Sequence, residues 1–239
     1  MPILDLTTTS SRDVYFDAAR GLRPDCTPVH LFGFNRSIAT AYETVWNNGG
    51  GIYTFPSSAV QMTLSSDNTA DTMDVQITGL DANSNILTET VTLEGTGSVT
   101  TTGSFLRIND ARILSGNNVG DITIANGGTT YAFIEATYGV HQAAIYSVPA
   151  GHTLYITQVD FTSGTLTSSK YMFARACLKS QASTAEYHFF ETTFVTSQLQ
   201  YDLKQPFKVT EKSDLSFESK SSAQTNELSI YLAALLVKN

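Results

Sequence analysis

The chain has 239 residues, 41% hydrophobic and only 15% charged, a balance long and apolar enough for one large domain or two small ones and too apolar for a disordered polymer. Thr, Val, Ser, Gly and Asn outweigh good helix formers, which points to strands and turns. The net charge of −8 lies wholly in residues 1–138, which hold 14 acidic and 6 basic side chains and no lysine; residues 139–239 balance 8 against 8. An acidic, lysine-free first half lacks the basic footprint of a nucleic-acid binder, and no apolar run approaches the roughly 20 residues that span a bilayer.

In chain order, residues 1–28 read as an extended N-terminal arm. Residues 13–20 could form a short helical turn, and Pro24 and Pro28 keep it from continuing. The N-terminus has no basic region ahead of an apolar core, so no signal peptide is expected. A first strand is expected over residues 29–34. The Asn47-Asn48-Gly49-Gly50-Gly51 run predicts a turn with positive φ angles, and no Gly-Lys-Ser/Thr comes after it to make a phosphate loop. Residues 60–65 and 75–79 alternate strictly, as half-buried strands do. Asp81–Asn85 reads as the turn of a hairpin, with Glu89, Val91 and Leu93 on one side of its second strand. Further strands over residues 105–114, 122–124 and 131–137 complete seven or eight, spaced as in a sandwich.

A second β unit starts near residues 138–141, where lysine use and charge change. Over residues 153–161, Leu154 and Ile156 share one face and Val159 and Phe161 the other, so the phase slips at Gln158 and a β-bulge is expected. Residues 171–179 place Met172, Ala174, Ala176 and Leu178 on one face. The aromatic strand 186–195 reads as core packing or as a sugar-stacking platform. Residues 228–237 alternate as a buried last strand. The resulting expectation is an all-β chain of two β-sandwich or jelly-roll-like domains: an arm over 1–28, an acidic sandwich over 29–138 and a second sandwich over 139–239.

No motif brings a nucleophile, base and orienter together. His30, His141, His152 and His188 have no metal-ligand spacing to one another or to Cys26 and Cys177, which are expected as unpaired thiols. Asp67, Asp71 and Asp74 are turn residues before they are calcium ligands. Glu186 and Glu191, five apart on one strand, should point to opposite faces and serve poorly as a glycosidase pair. No enzyme activity, cofactor or metal is therefore expected. Trp46, Tyr53, Tyr187 and Phe189 are the candidate interface residues, with Trp46 read first as a packing anchor.

Three passages carry a resemblance: VHLFGFNRSIATAYETVWNNGGGIYTFP (29–56), YSVPAGHTLYITQVDF (146–161) and EKSDLSFESKSS (211–222). Together they resemble structural proteins of tailed phages that infect cyanobacteria and other aquatic bacteria. The resemblance implies a virion component made in the host bacterial cytoplasm, of the capsid decoration (cement) or tail-associated type. Its partners would be the major capsid protein and further copies of itself, a trimer being the first expectation, with no nucleic acid and no membrane. A tail, fibre or baseplate component binding host-surface glycans is the alternative.

Overall fold

A computed structural model describes residues 13–164, 166, 170–183, 185–223 and 225–239. Residues 1–12 of the expected arm lie outside them. The chain is all-β, as expected, and every strand pairing is antiparallel. The expected helical turn is α1 (Val14–Ala19), started by Asp13, whose side chain accepts from the Tyr15 and Phe16 amides. No helix among the described residues is long and apolar enough to cross a membrane.

The strands in order are β1 (Cys26–Ile38), β2 (Glu43–Thr44), β3 (Val60–Ser66), β4 (Asp74–Leu80), β5 (Ile86–Thr92), β6 (Val99–Phe105), β7 (Arg107–Ile113), β8 (Ile122–Asn126) and β9 (Thr129–Ile134). Then come β10 (Ile145–Ser147), β11 (His152–Ser163), β12 (Met172–Ser180), β13 (Glu186–Phe194), β14 (Gln198–Val209), β15 (Ser213–Ser221) and β16 (Asn226–Lys238).

β3 to β9 form one sandwich, with sheets ordered β6-β3-β8-β9 and β5-β4-β7. Its core joins Met62, Leu64, Val75, Ile77, Phe105, Ile122, Ile124 and Ile134, the inward positions of the alternating runs. The hairpin at Asp81–Asn85 is present: Asp81 accepts from the Asn83 and Asn85 amides, and Ser84 takes a positive φ. Glu89, on the same side of β5 as Val91, accepts from the Thr102 and Gly103 amides of β6 and so ties one sheet to the other.

The other sandwich is built from both ends of the chain. Its sheets run β1-β16-β11-β14 and β10-β15-β12-β13, with β2 added against β15. Taking its eight principal strands in order, the first pairs with the eighth, the second with the seventh, the third with the sixth and the fourth with the fifth. That nesting is one long antiparallel hairpin rolled over on itself, the jelly-roll arrangement. Leu154, Ile156 and Phe161 of β11, Leu228, Ile230, Leu232 and Ala234 of β16, and Met172, Ala174 and Phe217 fill its core. The phase slip in β11 is a bulge at Ile156/Gln158 against both neighbours.

The expected division at 138/139 does not hold for the first strand. β1 lies against β16, so residues 26–38 belong to the jelly roll, and the acidic sandwich is an insertion between its first and second strands. Pro28 is tolerated because β1 is an edge strand with β16 as its sheet neighbour. The charge still segregates: residues 60–134 hold eight acidic and two basic side chains.

Candidate functional site

Three places concentrate chemistry. The first is the junction between the sandwiches. Val45, Trp46 and Tyr53 run beside Ala143–Ile145, and Gly33 lets them approach: a Cβ there would collide with the Ala144 amide and the Val45 carbonyl. Trp46 meets Tyr53 edge-on at 5.1 Å between ring centres, and Tyr53 meets Phe55 at 4.9 Å. The Tyr53 hydroxyl donates to the Tyr131 carbonyl of the inserted sandwich, and burial pushes that phenol well above its ordinary range. His141 packs edge-on to Trp46, its Nδ1 3.1 Å from the Phe133 carbonyl. Burial drives its pKa down to about 4, with the Phe133 contact opposing.

A buried ion pair crosses the same junction. Arg107 donates from Nε to Asp214 Oδ1 at 2.8 Å and from Nη2 to Oδ2 at 2.7 Å, with both side chains under a tenth exposed. Its Nη1 donates to the Pro56 and Leu106 carbonyls, and its guanidinium lies over Phe55. Asp214 also accepts from Ser147 Oγ.

The glycine run explains itself here. Gly49, Gly50 and Gly51 all take positive φ, as expected, and the buried Glu43 accepts from Gly50, Ala39 and Asn35. The first passage of the resemblance, residues 29–56, thus holds a structural clasp around Glu43.

The second place is an apolar slot of about 400 Å³ between β11 and β14 on one side and β12 and β13 on the other. Phe189 stacks on Phe207 at 4.1 Å, and Phe190 meets Tyr201 edge-on. β13 and β14 are the last strands of their sheets, and β13 buries only Phe194.

The third is a polar cleft of about 570 Å³ over the outer face of β12 and β15, roofed by residues 52–57 and lined by Cys177, Lys179, Glu186, Glu218, Arg107 and Asp214. Glu218 is held by Arg175, whose guanidinium lies 3.9 Å from the Tyr42 ring centre.

The four candidate interface residues separate. Trp46 and Tyr53 are 5% and 8% exposed, buried inside the junction, where they pack the chain against itself. Tyr187 is 62% exposed on β13, and Phe189 lines the slot. Asp67, Asp71 and Asp74 do not gather into a ligand cluster among the described residues; each accepts a hydrogen bond within the fold. Burial opposes the Asp71 charge, but Ser66 Oγ and the Val119 and Gly120 amides outweigh it and hold the carboxyl below its usual range.

One expectation is reversed. A bulge between Ala176 and Cys177 shifts β13, so Arg175 faces Glu191 while Cys177 faces His188. Glu186 and Glu191 therefore share the outer face. They remain separately engaged, Glu191 accepting from Tyr42 and Glu186 lying beside His188. The same bulge assembles Cys177, Glu186 and His188, a grouping with no signal in sequence spacing.

No protein-family model and no curated protein matches this chain. Among solved structures, the VP2 subviral particle of infectious bursal disease virus aligns at 9% identity with a TM-score of 0.24, covering 90% of this chain and 72% of that one. The Gt strain of the same virus aligns at 11% identity and a TM-score of 0.21, covering 90% and 73%. Scores this low do not establish a shared fold.

Proposed function

We propose that this chain is a non-enzymatic structural component of a virus particle, a decoration protein that stabilises a capsid shell by protein–protein contacts. The observation that carries the reading is the topology: an eight-strand jelly roll with a second sandwich set between its first two strands. Jelly rolls recur in viral capsid proteins and in lectins, and such analogy sets an expectation without assigning a site. The three passages that resemble tailed-phage virion proteins point the same way. The acidic insertion and the near-neutral roll present two chemically different faces. The roll, with its open β13 and β14 edges, is the face assigned to the shell and to neighbouring copies; the acidic insertion faces solvent.

Binding to assembled shells tests it. Purified protein is mixed with capsids lacking it and sedimented, and its oligomeric state is read by light scattering. Saturable co-sedimentation by a homo-oligomer supports the proposal. The lectin use of the same fold and the exposed Tyr187 favour a second reading, a tail-associated glycan binder. That reading gains if host-surface polysaccharide is bound, Tyr187→Ala abolishes that binding, and shells are ignored.

A further inference from the structure

We propose that Cys177, Glu186 and His188 form a binding site for a divalent transition metal, with zinc as the best-matched ion. Their ligand atoms lie within 4.8 Å of one another, and His188 Nε2 is 3.3 Å from Glu186 Oε1. Thiolate, imidazole and carboxylate are the donors zinc takes, at about 2.0–2.3 Å each, so the three need close by only about an ångström to share an ion.

The backbone supports the grouping. Cys177 and His188 are directly opposite across β12 and β13, a pairing set by the bulge after Ala176. Glu186 lies two residues from His188 on the same strand, and period-two alternation puts it on the same face. Cys177 and Glu186 both line the polar cleft, which gives an ion a path and leaves a fourth position for water. Glu218 lines the same cleft and adds negative charge beside the thiol. Arg175, which pairs with Glu218, and Lys179, opposite Glu186, are the opposing charges.

Binding replaces the thiol proton, which leaves to solvent, with a metal–sulfur bond. The ion would add a tie between β12 and the edge strand β13, beside their ladder, the slot aromatics and the Tyr42–Glu191 and Thr192–Tyr201 hydrogen bonds. The site is independent of the virion reading, since it rests on side chains that any role for this fold would leave in place.

The test uses the full chain, stripped with chelator and titrated with Co²⁺, whose thiolate charge-transfer absorption and tetrahedral visible bands report ligand identity. The expected result is a one-to-one spectrum with a charge-transfer band, bleached by Zn²⁺ and untouched by Mg²⁺. Cys177→Ser should remove the charge-transfer band, while Cys26→Ser, at the other free thiol, should leave it. His188→Gln, at an exposed position and so without a folding penalty, should weaken Co²⁺ binding by at least about tenfold. A spectrum without thiolate charge transfer, one that vanishes in Cys26→Ser, or binding indifferent to His188→Gln would overturn the site.

Discussion

Replacing Arg107 with alanine should loosen the junction more than any surface charge change. The guanidinium makes two hydrogen bonds to Asp214 and two to backbone carbonyls, and it covers Phe55. An exposed pair would be worth about 1 kcal/mol or less. Here the side chains are 8% and 2% exposed, so removal strands a buried carboxylate, which costs about 3–5 kcal/mol. Against a total stability of about 5–15 kcal/mol, that is a large share. With a urea slope of about 3 kcal/mol/M, the midpoint should fall by roughly 1–1.7 M. Trp46, the only tryptophan, sits in the same junction, so its fluorescence reads the event beside far-ultraviolet circular dichroism. Asp214→Ala should cost a similar amount, and the double variant much less than the sum. A loss under about 1 kcal/mol, or strictly additive losses, would refute the view that this pair locks the two sandwiches together.

Other consequences stem from named contacts. Because His141 is held at about pH 4 in the folded chain and titrates near 6.5 when unfolded, the unfolded state gains a proton first. Stability is therefore full above about pH 6.5 and falls by up to about 3 kcal/mol towards pH 4; His141→Gln should flatten that slope in urea titrations at stepped pH, and an unchanged slope would count against it. Gly33→Ala should cost several kcal/mol, on the order of 3 or more, because the new methyl meets backbone on both sides rather than a movable side chain; a thermal midpoint within a degree of wild type would contradict the close approach. Deleting residues 227–239 removes nearly all of β16, which pairs with both β1 and β11, so soluble folded protein should be lost; retained native circular dichroism would disprove that the strand is central.

Local features are legible in sequence, and long-range ones are not. The slip at Gln158, the Asp81–Asn85 hairpin and the positive-φ glycines are written in side-chain alternation and turn chemistry, which depend on neighbours. The pairing of Val29 with Ala234 is not, because alternation marks a strand without naming its partner. The charge change near residue 139 is a fair signal for the end of the insertion but is silent on where it begins, since β1 carries little charge. The site residues divide the same way. Trp46 is readable as a packing anchor, but its place between two sandwiches depends on Gly33 meeting Ala144. Cys177 and His188 are brought opposite by a bulge after Ala176 whose partner strand has no break in its own pattern.

We propose that this jelly roll with its acidic insertion works as a repeated structural part of a virus particle. Cryo-electron microscopy of purified virions, with this chain traced into the map, tests it most directly. The expected result is copies repeated over the capsid lattice, the jelly roll against the shell and residues 60–134 outward. Density confined to the tail or its fibres, or absent from the particle, would contradict it.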